Sequence, residues 1–381
     1  MTFRRKKNFM RSLARQLVSA RTYFFCLTIA LFICCLPLQA TTNKPLLGVY
    51  YGDNGWEMER VQAMEKWQGK QHTTIALFAN WCDSTTALDN LFRQQLVKIW
   101  GDRHIPAIAW EPFSCNASAT PSDIEVKIAN GDFDSYINRW ADRMKTFLSG
   151  ADGIYNTQDD RRAYIRLAHE MNGNWYPWSA AQGTNQPADY IRMWQHVKSL
   201  FSNKGMERTH LQWIWCVNAT DVGNYQAESF YPGDNYVDWV GIDGYNWGKT
   251  QTWSQWQDPE LVFGNMLRRL RHLTSKPVAI GEVATTTSTT AGNRISEKSR
   301  WITNVFNYAQ SHNIKAIAWF NQDKETDWAV FGGDRGDSTF VDNGKTYKTY
   351  SAYKLAIRDR SWISANTKNP RLIADAEFAG L

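Results

Sequence analysis

Short apolar runs alternate with longer amphipathic segments along most of the chain. The runs predict eight strands: Leu46–Tyr51, Thr74–Phe78, Ile105–Trp110, Tyr164–Ala168, Leu211–Val217, Val237–Ile242, Val278–Gly281 and Ala316–Phe320. The amphipathic segments predict helices, among them Thr86–Trp100, Phe133–Phe147, Pro187–Phe201, Pro259–Leu273 and Ser296–Ser311. Apolar strands that alternate with helices are typical of a buried parallel sheet.

Eight strand–helix repeats over about 310 residues predict a closed (β/α)8 TIM barrel of the α/β class. An open doubly wound sheet is the alternative, and it would normally carry a glycine-rich turn after its first strand. Residues 50–55 imitate that turn only loosely, and Trp56 and Glu57 follow without a phosphate cradle. We therefore expect one barrel domain over residues 41–365, followed by a C-terminal tail, 366–381, that forms a loose cap or is partly disordered.

Polar and aromatic residues collect where the predicted strands end, which is where such barrels carry their active sites. These strand-end residues are Trp110, Glu111, His169, Glu170, Asn218, Asp243, Tyr245, Glu282 and Trp319. The loops at the opposite ends of the strands show no comparable set. The pattern predicts a functional site at the C-terminal mouth of the barrel.

Two of these residues have the chemistry needed to break a glycosidic bond. Glu170 follows the fourth predicted strand and Glu282 follows the seventh, so the two carboxyl groups face each other across the mouth. Glycosidases use one carboxyl group to protonate the leaving oxygen and a second as nucleophile or base. A separation of about 5–5.5 Å would suit a retaining mechanism.

The run RLAHEMNGNWYPW at residues 166–178 resembles the acid/base segment of glycoside hydrolase family 26. The Gly281-Glu282 pair has the position expected for the nucleophile, and the resemblance extends over about residues 45–360. That family contains mainly endo-β-mannanases, with some mixed-linkage β-glucanases and β-1,3-xylanases, and its members are retaining (β/α)8 hydrolases. The resemblance implies the same fold and mechanism here.

The resemblance also implies roles for single residues. Glu170 would be the acid/base and Glu282 the nucleophile. The expected substrate-binding residues are His169, Trp175, Tyr245 and Trp319 by resemblance, with Trp110 and Asn218 added from their strand-end positions. Arg166 shares a strand face with Glu170, and a buried arginine needs an acidic partner, which Glu111 or Glu282 could supply.

The expected function is a secreted retaining endo-β-glycanase that hydrolyses β-1,4-linked mannan by double displacement. Pro177 interrupts the aromatic run that is common in mannanases, so mixed-linkage β-glucan is the main alternative substrate. A further alternative is β-1,3-xylan. A glycan-binding protein without turnover is the alternative of another class. Loss of one carboxylate would be its signature, and both are present.

Composition supports a sugar ligand and argues against other classes. All 19 Trp lie after residue 40, and indole faces stack on sugar rings. The first 40 residues hold seven of the 43 basic residues and none of the 37 acidic ones. The remainder is therefore near neutral, with no basic surface for nucleic acid. We expect no cofactor, no metal and no stable protein partner, because metal-ligand spacings, G-x-S-x-G and nucleotide-binding motifs are absent.

Residues 1–40 have the parts of an export signal: a basic stretch, an apolar run from Phe24 to Leu38, and a small residue, Ala40, at the expected cleavage point. The run is shorter than the roughly 20 residues of a bilayer span. We expect a secreted or periplasmic protein, and an uncleaved anchor is the alternative. Three cysteines follow the leader: Cys82 and Cys115 are candidates for a disulfide, and Cys216 reads as a buried thiol.

Overall fold

The computed structural model describes residues 44–82, 84–115, 117–358 and 360–381. Eight parallel strands form a closed barrel in chain order, with the last strand hydrogen bonded to the first. The strands are β1 Leu46–Tyr50, β2 Thr74–Asn80, β3 Ile105–Glu111, β4 Ala163–Leu167, β5 Leu211–Asn218, β6 Trp239–Asn246, β7 Val278–Thr285 and β8 Ala316–Phe320. The predicted (β/α)8 barrel is confirmed, and the predicted leader, residues 1–40, lies outside the described residues.

Helices cover the outside of the barrel. They are α1 Met58–Gln68, α2 Thr85–Asp89, α3 Leu96–Gly101, α4 Ile124–Ala129, α5 Asp134–Leu148, α6 Pro187–Asn203, α7 Pro259–Leu273, α8 Ile295–Ser311, α9 Ser351–Ile357 and α10 Asp375–Phe378. A π-helical segment, Asn90–Gln95, joins α2 to α3. Proline at the first helical position starts both α6 and α7, where its missing N–H has no helical partner to lose. Within the described residues, no helix is long and apolar enough to cross a membrane.

Most of the tryptophan surplus belongs to the layer between strands and helices. Ten of the 19 tryptophan side chains are less than 2% exposed. Trp110 of β3, for example, stacks on Trp140 of α5 at 4.2 Å and contacts Phe201 of α6. These rings fill the barrel's outer core, so composition alone overstated the number of tryptophans available to a ligand.

The C-terminal tail, 366–381, closes the bottom of the barrel. Phe378 is fully buried, and its backbone oxygen accepts a hydrogen bond from the Tyr164 hydroxyl at 2.8 Å. The Arg162 side chain, also fully buried, donates to Asp375 and to the Ile373 carbonyl. The expectation of a loose cap is wrong, because these contacts pack the tail against the strand ends.

One disulfide ties the mouth of the barrel. Cys82 follows β2, Cys115 follows β3, and the two are bonded with their Cα atoms 4.2 Å apart. The candidate pairing is therefore confirmed. Cys216 on β5 is a free, buried thiol, as its apolar strand predicted.

Candidate active site

The turn after β4 holds the first of the two carboxyl groups in a strained backbone. Ala168 and Glu170 both have positive φ, 42° and 56°, which costs roughly 1–3 kcal/mol for a residue with a side chain. Neighbouring strands hold this turn: the Ala168 N–H donates to the Trp110 carbonyl at 3.0 Å, and the Glu170 N–H donates to the Cys216 carbonyl at 2.9 Å. The turn aims Glu170 across the barrel mouth.

Glu170 lies in an enclosed and largely apolar environment. Its side chain is 7% exposed, and its Oε2 accepts a hydrogen bond from Trp175 Nε1 at 2.8 Å. Burial, together with the nearby charges of Asp243 and Glu282, raises the pKa of Glu170 well above its usual value. Gly173 makes room for the Trp175 ring, since a Cβ there would lie 2.5 Å from it. The surroundings of Glu170 therefore favour its protonated form, and an indole lies beside it.

Glu282 on β7 has a different set of neighbours. Arg166 donates a hydrogen bond to its Oε1, and the Tyr245 hydroxyl donates to its Oε2. The nearest histidine nitrogen, His169 Nε2, lies 3.9 Å from Oε1. A cation and a hydroxyl donor thus orient both oxygens, which suits a carboxylate that acts as an anion.

Arg166 links Glu282 to a second buried acid. Its guanidinium also donates to Asp243 Oδ2 at 2.5 Å, so the predicted acidic partner is Glu282, joined by Asp243 rather than Glu111. Burial raises the pKa of Asp243 to about 7, against the opposing effect of Arg166. Gly281 is required here, because a Cβ would lie 2.6 Å from Asp243 Oδ1 and 3.1 Å from Arg166.

His169 directly precedes Glu170 in the chain and is 1% exposed. Its Nε2 is 3.1 Å from the Tyr176 hydroxyl, and its carbonyl accepts from Trp178 Nε1 at 2.8 Å. Burial and the Arg166 charge lower the pKa of His169 well below its usual value. The ring is neutral, so it shapes the site and supplies a hydrogen bond rather than a charge. Tyr176 is a site residue that the sequence did not single out.

Three of these groups have the geometry of a metal site. His169, Asp243 and Glu282 each place one ligand atom within 4.8 Å of the others. The Arg166 guanidinium donates to both carboxylates, so the protein itself supplies the positive charge between them. Two of the three possible ligands, Asp243 and Glu282, are therefore already paired with Arg166.

Two further side chains face this network. Glu111 at the end of β3 is 8% exposed, and burial with the nearby Glu282 charge raises its pKa to about 7. Tyr50 at the end of β1 has its pKa raised to about 12 by burial and then by Glu282. Tyr50 and Glu111 lie at the C-terminal ends of their strands, where active-site residues of such barrels are expected. The sequence pattern alone did not assign them a role.

The predictions that Trp319 and Trp110 bind sugar are wrong. Trp319 on β8 is 1% exposed and packs against Phe306 and Trp301 of α8, and its Nε1 donates to the Trp328 carbonyl. Trp110 packs against helices in the same way. Both rings point away from the barrel axis, so neither can stack on a ligand at the mouth.

The other predicted binding residues lie at the mouth. Trp175, 44% exposed, and Tyr245 contact the two carboxyl groups directly. Asn218 is half-buried at the end of β5 and its side chain donates to the Thr220 carbonyl at 2.6 Å, so its role in binding stays a prediction. Phe320 packs at 4.7 Å from Tyr50 and 5.9 Å from Tyr245, and it is the inward-facing ring of β8.

The arrangement brings together a carboxyl group with a raised pKa and a second carboxyl group held by an arginine and a tyrosine. Glycosidic bond cleavage requires two carboxyl groups in such different environments. The residues come from β4, β6 and β7, and each lies at the C-terminal end of its strand.

Comparison with known proteins agrees with this geometry. Residues 96–266 match the family model described as glycosyl hydrolase family 26. The chain is 33% identical over 290 residues to endoglucanase H of Acetivibrio thermocellus, a match that covers 74% of this chain and 28% of that protein. It is 22% identical over 222 residues to a mannan endo-1,4-β-mannosidase of Bacillus subtilis, covering 54% and 59%. The chain thus spans between about a quarter and three fifths of these curated relatives.

Solved structures share the fold. A Bacillus subtilis mannanase aligns over 86% of this chain and 88% of its own, with a TM-score of 0.59 and 19% identity. A Cellulomonas fimi endo-β-1,4-mannanase aligns over 84% and 72%, with a TM-score of 0.57 and 13% identity. These structures share the barrel fold, and residues 96–266 carry the sequence match to glycoside hydrolase family 26.

Proposed function

We propose that the protein is a retaining endo-β-glycanase in which Glu170 is the acid/base and Glu282 is the nucleophile. The observation that carries this proposal is the contrast between the two carboxyl groups: Glu170 is enclosed and has a raised pKa, whereas Glu282 accepts hydrogen bonds from Arg166 and Tyr245. Two carboxyls with opposite protonation states can divide the acid and nucleophile roles at one pH.

The reaction would run in two displacements. Glu282 attacks the anomeric carbon while Glu170 gives its proton to the leaving oxygen, forming a glycosyl ester on Glu282. Loss of the negative charge on Glu282 lowers the pKa of Glu170, which then takes a proton from water. That water attacks the ester and restores both groups. Tyr245 and Arg166 would hold Glu282 in line for attack.

The substrate we propose first is mixed-linkage β-glucan, with β-1,4-mannan second. The relative named an endoglucanase matches this chain at 33% identity over 74% of its length, whereas the B. subtilis relative named a mannosidase matches at 22% over 54%. Pro177 at the leaving-group side also departs from the mannanase pattern. A relative named a β-1,3-xylanase matches 44% of the chain at 22% identity, which makes β-1,3-xylan the third candidate.

We also propose that the leader is cleaved after Ala40 and that the enzyme acts outside the cytoplasm. The support is the order of basic, apolar and small residues in the first 40 positions. Intact mass of the protein recovered from an exporting host tests this directly. A mass that retains residues 1–40 would contradict cleavage and favour an anchor.

The testing experiment is reducing-sugar release from mixed-linkage β-glucan, β-1,4-mannan, glucomannan and β-1,3-xylan. We expect the wild type to cut β-glucan and Glu282→Ala to lose about 10³-fold or more, because the variant lacks the carboxylate that would form the ester. Glu260→Ala, on the exposed surface of α7, is the matched control and should keep full activity. Proton NMR of the first products should show the retained β-anomer.

Each other outcome is informative. Hydrolysis of mannan alone would replace the proposed substrate and keep the mechanism. Equal activity of Glu282→Ala and wild type would remove Glu282 as nucleophile. A folded wild type that binds these polymers but cleaves none of them would leave a glycan-binding protein.

A further inference from the structure

A second cavity opens at the rim of the barrel mouth. It has a volume of about 660 Å³ and lies just beyond the ends of β1 and β8. Tyr51 and Gln322 form its inner side, Arg60 of α1 borders it, and one wall is the hairpin of strands Ser338–Asp342 and Lys345–Thr349. None of the carboxyl groups of the active site lines it.

The cavity is distinct from the active site because consecutive residues point to opposite sides of the barrel wall. Tyr50 points to the active site and contacts Phe78 and Phe320. Tyr51, the next residue, contacts Phe331 at the outer side. The two sites are therefore neighbours that share a wall.

The walls of the cavity are fixed by internal hydrogen bonds. Asp323 accepts from the Ala329 N–H at 2.8 Å and from the Asp334 N–H at 2.7 Å. Lys348 Nζ donates to the Asp334 carbonyl at 2.6 Å. A ligand would thus enter a preformed site and would not have to order a loop.

The lining combines one partly exposed aromatic ring, Tyr347, with free polar groups. The Tyr347 ring stacks on Phe331, with centroids 4.6 Å apart and an angle of 21°. The side chains of Gln322, Lys345 and Tyr347 make no hydrogen bond to another residue in the part of the chain that the structure describes. Aromatic rings next to free donors and acceptors match the apolar faces and hydroxyl groups of a sugar.

The charges of the cavity favour a neutral ligand. Arg60 is paired with Glu57 at 2.5 Å, and both Asp323 oxygens accept backbone hydrogen bonds. Lys345 and the exposed Asp334 carry opposite charges. The lining has no excess of one sign that would select a phosphate or a cation.

We propose that this cavity is a second sugar-binding site that holds another stretch of the same neutral β-glycan. The inference rests on the proposed function, since that function supplies the polysaccharide. A second anchor makes binding of a long chain partly intramolecular, so it raises affinity for polymer without changing how a short substrate meets the two carboxyls.

The experiment measures two readouts on the full chain. Polymer affinity is measured by affinity electrophoresis in the Glu282→Gln background, using the polysaccharide that the wild type hydrolyses. Turnover of a dinitrophenyl disaccharide glycoside is measured in the active background. We expect Tyr347→Ala and the double variant Gln322→Ala/Lys345→Ala to weaken polymer binding about ten-fold. Turnover of the short substrate should change less than two-fold.

Val341→Ala is the matched control, because Val341 lies on the same hairpin, is 63% exposed and does not line the cavity. Tyr347→Ala removes a ring that packs on Phe331 and could destabilise the fold. The double variant changes an exposed lysine and a half-buried glutamine, so it tests binding with less effect on folding. Polymer affinity equal to that of Val341→Ala in the folded double variant overturns the proposal. A wild type without hydrolysis of any polymer would instead defeat the proposed function.

Discussion

At the scale of single residues, Arg166 is the common partner of two buried acids. It contacts Asp243 and Glu282, and burial alone would lower the pKa of Arg166, whereas these two charges raise it well above the usual value. Removing one member of a buried ion-pair network leaves uncompensated charge, which costs roughly 3–5 kcal/mol. The guanidinium is therefore needed for the fold as well as for the orientation of Glu282.

We expect Arg166→Met to lower the free energy of unfolding by about 3–5 kcal/mol at pH 7. Urea denaturation measures this change. Arg192→Met, which removes an exposed partner of Asp189 on α6, is the control and should change stability by less than about 1 kcal/mol. Equal stability of the two variants would contradict the role given to the network.

Glu170 gives a prediction on pH dependence. Its folded-state pKa is raised, so the protonated form needed for the first step is present below that pKa and lost as pH rises through it. With a dinitrophenyl glycoside, whose leaving group needs no proton, ester formation in the wild type should slow at alkaline pH only because ionised Glu170 repels the departing phenolate, so Glu170→Ala should abolish this fall. On polymer the same variant should lose about 10²–10⁴-fold.

Stopped-flow release of dinitrophenol between pH 5 and 10 checks this expectation. Adding azide, which needs no base to attack, should restore turnover of Glu170→Ala. An unchanged alkaline limb in this variant would assign that limb to another group, with Glu111 the nearest buried candidate.

The position of the candidate site could be predicted from the sequence for residues whose type is set by the chemistry. Glu170, Glu282 and Tyr245 lie where the motif and strand ends placed them. Trp110 and Trp319 were misplaced because β3 and β8 are buried on both faces, so the sequence shows no alternation to separate inward from outward side chains. A shift of one residue reverses the side, and Glu111 and Phe320, each next to the misplaced ring, point inward instead.

At the scale of elements, the disulfide joins the segments that follow β2 and β3. It closes a loop across a sequence separation of 33 residues and restricts the unfolded chain. In the chain-entropy model a loop of this length stabilises the fold by about 3–4 kcal/mol. The bond therefore supports the side of the mouth that carries Glu111.

We expect the paired variant Cys82→Ser/Cys115→Ser to unfold at a lower temperature, with a stability loss of about 3–4 kcal/mol. Differential scanning calorimetry with and without reductant measures it. Reductant should shift the wild type to the same midpoint and leave the serine variant unchanged. A wild type that is insensitive to reductant after unfolding and refolding would count against the bond.

Element types could be predicted more fully than element details. Each of the eight predicted runs overlaps a barrel strand, since strand burial and helix periodicity are strong local signals. The π-helical segment within the predicted helix Thr86–Trp100 and the hairpin near residues 338–349 were not predicted. The π-helical segment lies inside an otherwise regular helical pattern and has no separate local signal. The hairpin does have a local signal, the two-residue Asn343-Gly344 loop, but its strands are largely polar and the search for apolar runs missed them.

At the scale of the whole molecule, the tail seals the barrel. We expect Phe378→Ala to cost about 3–5 kcal/mol, because it leaves a void against Tyr164 where the ring packs at 4.6 Å. Lys368→Ala, at an exposed position of the same tail, should cost less than about 1 kcal/mol. Guanidinium unfolding of both variants decides the matter. Two equal, small losses would show that the tail adds little.

The strand pairing that closes the barrel joins β1 to β8, and Leu46 of β1 also bridges Ile363. A ribosome makes the N-terminal strand first, so one edge of β1 waits unpaired while the rest of the chain is synthesised. The C-terminal tail, which packs against the bottom of the barrel through Phe378, is synthesised last. A truncated chain that lacks these residues cannot close the barrel. Its unpaired strand edges are then exposed and can pair with other chains.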